Sequence, residues 1–305
     1  MSSSHVRRLV ALIPVTTALV VALAGCGGGN TSGETTGKIN VVASTDVWGS
    51  VLAAVGGDDV QVTSIIHDPA ADPHSYETTP QDAIATQGAQ LTLENGGGYD
   101  DFFAKLADQA PNAKKLVAWD IAGIGPSSSR DDNEHVWYSF ATVRKVADQV
   151  ATDLGQLRPG DAQKFAGNAA AFQAKIAGLE TKAEQAGAAH PDTKVVATEP
   201  VAHYLLDTAG ITDATPEDFS KAIEDETDVP AAALEEVNAL IDGKQVRAVV
   251  NNVQTDSPVT RQVVGRARSA GLPVVDVTET LPQGATDYIS WMTGQVDALA
   301  KALNS

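Results

Sequence analysis

The sequence predicts an α/β protein of two lobes, each with a mainly parallel sheet, joined by one long rigid helix, with a metal site in the cleft between the lobes. Three observations carry the fold. Short apolar strands alternate with helical segments over residues 38–118, the pattern of a parallel layer covered by helices. A long amphipathic run follows, in which Phe165, Ala169, Phe172, Ile176, Leu179 and Ala183 recur at spacings of four, three, four, three and four. Beyond His190-Pro191 the strand and helix alternation restarts. A chain of 305 residues has room for two such lobes.

Arg7 and Arg8 precede an apolar run over 9–24 that is too short and too abruptly ended for a membrane span. This is the form of a secretory signal. The ending Leu23-Ala24-Gly25-Cys26 resembles a bacterial lipobox, which implies cleavage before Cys26 and lipidation of its thiol. Residues 1–25 are then a signal peptide, and 26–37, dominated by Gly, Ser, Thr and Asn, a flexible lipid-anchored tether. Cys26 is the single cysteine, so the chain has neither an internal disulfide nor a thiolate to offer a metal in its folded part.

The first lobe spans 38–140. A strand over 38–43 leads to a helix over 46–55, closed by Gly56-Gly57. A strand over 60–66 runs into the loop HDPAADPHSYETTP, and a helix follows from Pro80 to about Thr86. A strand over 90–93, the turn Glu94-Asn95-Gly96-Gly97-Gly98, a helix over 99–107 and a strand over 115–118 complete it. A polar loop over 121–133 and the segment EHVWYSF end the lobe.

The linker spans 141–190. Val143, Val146, Val150, Leu154 and Leu157 recur at helical spacing until Pro159-Gly160. The long run then reads as a helix over 161–188, roughly 40 Å at about 1.5 Å per residue. A helical spine resists hinge opening, so only a small closure on ligand binding is expected. The second lobe, 191–305, reads as strands over 194–198, 246–250 and 273–277 with helices over 201–209, 230–241, 257–269 and 286–303.

The formal net charge of -18 excludes a nucleic-acid partner, since no basic stripe is present to neutralise phosphates. Four side chains with metal-binding chemistry fall just after predicted strands or in loops between elements: His74, His135, Glu199 and Glu279. In open α/β sheets ligands collect outside the carboxyl ends of strands, so the four can converge on one cleft, two from each lobe. His74 sits on a loop stiffened by Pro69, Pro73 and Pro80, which limits the conformational freedom lost on binding. Asp72 and Pro73 frame His74, and Glu77 reads as a supporting or docking residue. His203 lies four residues after Glu199 and is an alternate ligand. His67 reads as a surface or supporting residue, His190 as the exit cap of the spine, and His5 goes with the signal.

DPHSYETTP, EHVWYSF, Glu199 before a Tyr-Leu helix, and TETLP followed by YISWM resemble the zinc and manganese substrate-binding lipoproteins of bacterial ABC importers. The similarity covers 38–303. It implies that His74 and His135 are the two histidine ligands, that Glu199 occupies a third position held by His or Glu, and that Glu279 occupies a fourth that is usually Asp. Two departures leave these ligands intact: Thr78 stands where proline is commoner, and Ser139-Phe140 replaces Asp-Pro. The resemblance implies an extracytoplasmic, membrane-tethered monomer that delivers its metal to an ABC permease.

Two imidazoles and two carboxylates without a thiolate suit Zn2+, Mn2+ or Fe2+ and exclude Cu+. Carboxylates that bind through both oxygens favour the harder Mn2+, whereas intrinsic affinity places Zn2+ above Mn2+. Zinc members of the family often carry a third histidine and a long His-rich loop; IAGIGPSSSRDDNE is short and acidic, which leans toward manganese. The alternative function is a metal-dependent hydrolase using the same cleft, with Glu134 or Asp276 as base, although four protein donors leave no position for a water. A binding protein for an organic solute or chelated iron and an adhesive surface lipoprotein are further readings.

Overall fold

Ile39–Thr45 forms β1, and six of its seven residues are buried. Such a near-continuous apolar strand belongs in a parallel sheet covered on both faces. In the computed structural model, which describes residues 37–69, 71, 73–124 and 133–305, the chain continues through α1 (Asp46–Gly56), β2 (Val60–Ile66), α2 (Pro80–Gln87), β3 (Leu91–Glu94), α3 (Asp101–Ala107), β4 (Lys114–Val117) and α4 (Ala118–Ala122). The four strands pair in parallel in the order β2-β1-β3-β4.

Two helices follow, α5 (Phe140–Leu157) and α6 (Ala162–Ala188). The second lobe comprises β5 (Lys194–Ala197), α7 (His203–Thr208), β6 (Thr212–Asp213), α8 (Glu217–Glu224), α9 (Ala231–Asp242), β7 (Ala248–Asn252), α10 (Pro258–Ser269), β8 (Val274–Val277) and α11 (Tyr288–Leu303). Its strands are again parallel, in the order β6-β5-β7-β8. Local signals start several helices. Thr79 and Asp82 form a capping box ahead of α2, as do Ser257 and Thr260 for α10, and Pro80 and Pro258 occupy the first helical position of each.

The period of two along each central strand divides the core. Val41 on β1 and Val195 and Val250 on β5 and β7 point into one hydrophobic core that runs through both lobes. Val42, and on the other sheet Val196 and Val249, point away from it into smaller outer cores. The shared core contains Phe165, Phe172 and Ile176 of α6 together with Tyr288, Met292 and Val296 of α11. The 27-residue α6 packs on α5, α11 and α1, so the linker is part of the core that joins the lobes. At its end a Cβ on Gly187 would lie 1.5 Å from the Ala209 carbonyl oxygen, an approach that only glycine permits.

The sequence reading differs from the structure in three places. The helix expected over 201–209 is a 3-10 turn, Pro200–Ala202, followed by the shorter α7. β6, with two residues, is too short to show a period, and α8 was not expected although Phe219, Ala222 and Ile223 recur on one buried face. The short α4 follows β4 directly, across the predicted end of a strand at 118 and start of a polar loop at 121. Residues 1–36, with Cys26 and the proposed signal and tether, lie outside the described residues. So do Ala70, Asp72 and 125–132.

Candidate metal centre

His74, His135, Glu199 and Glu279, all singled out from the sequence, line one cavity of about 220 Å³ with Glu224 and Thr255. His74 is exposed on the β2 to α2 loop, and its ring meets Tyr99 edge-on with centroids 5.0 Å apart. His135 is buried, 6.5 Å from His74 between ring centroids.

His135 is held in one tautomer. The Asn133 side-chain oxygen accepts from the His135 backbone N–H and from its ring Nδ1, both at 2.9 Å. An amide oxygen only accepts, so Nδ1 carries the proton and Nε2 presents its lone pair. Burial, chiefly, pushes the His135 pKa down to about 4, with smaller downward contributions from His74 and His203 and an opposing one from Glu134. The ring is therefore neutral and ready to ligate at neutral pH. The Asn133 amide also donates to the Pro200 carbonyl at 2.9 Å, and Tyr204 donates to the Asn133 carbonyl at 2.6 Å, tying this loop to the segment after Glu199.

In the second lobe the strand order builds the carboxylate pair. Glu199 follows β5, Glu279 follows β8, and β7 runs between them and ends at Asn252. The Asn252 amide donates to Glu199 Oε2 at 2.5 Å and to Glu279 Oε1 at 2.7 Å. Both carboxylates are thus held side by side, buried, on one neutral donor. Gln254 adds a second brace: its side-chain oxygen accepts from the Glu279 backbone N–H at 2.5 Å, and its amide donates to the Ala71 carbonyl of the opposite lobe at 3.3 Å.

A carboxylate oxygen of Glu134 and ring nitrogens of His74 and His135 all lie within 4.8 Å of one another. The Glu134 backbone is fixed by Asn95, whose amide donates to its carbonyl at 2.7 Å and whose own oxygen accepts from Trp48 at 3.2 Å. Gly97 lets this packing close: at φ +70°, its Cβ would sit 2.9 Å from the Trp119 ring and 3.3 Å from Glu134 Cβ. From the other lobe Glu224, the last residue of α8, hydrogen-bonds the Glu134 carboxyl. Burial and the neighbouring carboxylates Glu134, Glu199 and Asp225 push the Glu224 pKa up to about 8.

His203 lies elsewhere. It lines a separate cavity with Asp207 and Asp213, and its Nε2 is 3.3 Å from Asp207. His67 is exposed, with Nδ1 against the carbonyls of Ser64 and Ile65. His190 meets Asn304 at 3.0 Å. Asn133, Asn252, Gln254 and Glu224 went unnoticed in the sequence. Amides carry no motif of their own, and only the N-N-V-Q run at the end of a predicted strand marked the place.

Residues 41–302 match the family described as ZnuA, zinc-uptake complex component A periplasmic. The chain belongs to this family. Among relatives of the ZnuA family chain, the metal ABC transporter substrate-binding lipoprotein FimA of Streptococcus parasanguinis is 24% identical over 327 residues, covering 98% of this chain and 99% of FimA. The manganese-binding lipoprotein MntA of Halalkalibacterium halodurans is 26% identical over 306 residues, covering 94% and 96%. The fold is similar to that of the periplasmic zinc binding protein TroA from Treponema pallidum, with a TM-score of 0.72 at 19% identity over 88% of this chain and 99% of TroA.

Proposed function

We propose that this ZnuA-family chain captures one divalent transition metal ion, Zn2+ or Mn2+, between its lobes and delivers it to the membrane permease of an ABC importer. The observation that carries the reading is the convergence of His74 and His135 from one lobe and Glu199 and Glu279 from the other on a single cavity. Two imidazole nitrogens and two carboxylates, with no thiolate, match borderline and hard divalent ions. The named relatives, one a manganese-binding and one a metal-transporter lipoprotein, support the same cargo class. Family membership favours binding over the metal-dependent hydrolase.

The protein works extracytoplasmically as a lipid-anchored monomer, with Cys26 as the anchor point. Among the described residues no helix is long and apolar enough to cross a membrane. The two half-sites sit on different lobes, so a small displacement of one lobe separates the donors.

The test is metal content and melting temperature of the purified protein with Zn2+ and with Mn2+. An ion that binds only the folded state adds RT ln(1 + [L]/Kd), about 4.1 kcal/mol at a thousandfold excess over Kd. At least one ion is expected to raise the melting temperature, and His74→Ala to remove most of the gain. If neither ion acts and His74→Ala behaves as wild type, the reading is wrong.

A further inference from the structure

We infer that Glu134 is a fifth metal ligand, completing with His74 and His135 a two-histidine, one-carboxylate half-site on the first lobe that biases the protein toward Mn2+ over Zn2+. The inference rests on the metal-binding reading above and specifies its cargo.

The geometry is direct. One donor atom each from His74, Glu134 and His135 lies within 4.8 Å of the other two. Donors about 2.1 Å from a shared ion sit roughly 3 to 3.5 Å apart when adjacent in its coordination sphere, so a contraction of at most about 1.3 to 1.8 Å closes the set. Two of the three are positioned independently of any ion: Asn133 orients the His135 ring, and Asn95 holds the Glu134 backbone. Glu134 also has a partner to exchange, since Glu224 now hydrogen-bonds its carboxyl. An arriving cation takes the place of that contact.

The consequence for selectivity follows from counting donors. His74, His135, Glu199 and Glu279 alone make a four-donor set, the number Zn2+ prefers. Adding Glu134 raises the donor count to at least five and the formal ligand charge to three negative. Harder ions that take oxygen-rich, higher-coordinate spheres gain most from both changes, whereas Zn2+ gains little from a fifth donor. Glu134 precedes the histidine of the HVW segment directly, so the same short loop supplies two donors.

The experiment titrates wild type, Glu134→Gln and Glu134→Asp with Mn2+ and with Zn2+ at controlled free metal, and records the visible spectrum of the Co2+-loaded forms. Four-coordinate Co2+ absorbs far more strongly than five- or six-coordinate Co2+. Both variants are expected to lose Mn2+ affinity by at least roughly tenfold, to lose Zn2+ affinity by less, and to show stronger Co2+ bands than wild type. Wild-type affinities with an unchanged Co2+ spectrum overturn the inference. An equal loss for both ions with an unchanged spectrum also overturns it, because that is the signature of a purely structural role. His135→Ala separates this result from the underlying reading. Ions bound by wild type and lost in His135→Ala keep the binding function standing whatever Glu134→Gln does, while a wild type that binds neither ion removes both.

Discussion

The Tyr138 hydroxyl donates to the Thr278 carbonyl at 2.8 Å, linking two residues 140 positions apart in the chain. Tyr138 lies three residues after His135, and Thr278 directly precedes Glu279. The bond is therefore a strut between the loop of His135 in one lobe and the loop of Glu279 in the other. Both residues are buried, and Thr278 is also held by Trp291, which donates to its hydroxyl at 3.0 Å. Tyr288 adds a parallel tie through its hydroxyl to the Trp137 carbonyl at 2.8 Å.

Tyr138→Phe removes the strut without emptying the core. It leaves a buried carbonyl short of a donor, which costs about 1–3 kcal/mol. Denaturant unfolding of the metal-free protein is expected to show that loss. A variant as stable as wild type would show that the Thr278 carbonyl finds another partner.

Asn252→Ala removes the shared donor from Glu199 and Glu279. The two carboxyl groups then lose the donor that holds them side by side. Metal affinity is expected to fall roughly tenfold to a hundredfold, the usual cost of losing a group that orients ligands. Isothermal titration with Zn2+ and Mn2+ measures it, and unchanged affinity for both ions would remove Asn252 from the site.

Asn133→Ala frees the His135 ring to adopt either tautomer and cuts the bond to the Pro200 carbonyl. A comparable loss of affinity is expected. The His135 ring NMR signals of the metal-free variant should report both tautomers, whereas wild type should show the Nδ1-protonated form alone.

The contribution of Glu224 to metal-free stability is expected to fall as pH rises from about 4.5 to about 8, opposed between about 4 and 6.5 by His135, whose lowered pKa makes stability rise with pH there. In that window the native Glu224 keeps its proton, while the unfolded chain, with an ordinary glutamate pKa of 4.5, has lost it. At this group the native state then binds more protons than the unfolded state, and its contribution declines with pH. Glu94 and Asp46, pushed up by burial to about 7 and about 6, act in the same direction over narrower windows. Urea unfolding across this range should give a shallower slope for Glu224→Gln than for wild type; equal slopes would show that the Glu224 proton does not contribute.

Much of the architecture was legible because it rests on local periodicity. Phe165, Phe172 and Ile176 announced α6 through helical spacing, and β1 showed itself as a short apolar run interrupted only by Asn40 over 39–43. His74, His135, Glu199 and Glu279 were legible as candidate ligands because imidazoles and carboxylates placed after strands or in loops can converge on one cleft, although each taken singly has a bland reading, and the structure brings the four to one cavity. Glu134 was visible only as a base for an alternative chemistry. Glu224 was hidden because nothing local in the sequence shows that the last residue of α8 meets Glu134 of the other lobe.

The sequence alone determined the repeated strand and helix alternation, the long helix between its two halves, and which side chains can bind a metal. Each depends on residues near one another in the chain or on their intrinsic chemistry. Only the tertiary structure decided that Asn252 stands between Glu199 and Glu279, since that follows from β7 pairing between β5 and β8. Likewise only the tertiary structure decided that Asn133 orients His135 while bridging to Pro200, and that Glu134 meets His74 across a loop 60 residues away. A carboxylate or an amide looks the same in sequence whether it faces water or an imidazole. The shared core that brings the two sheets together makes the difference.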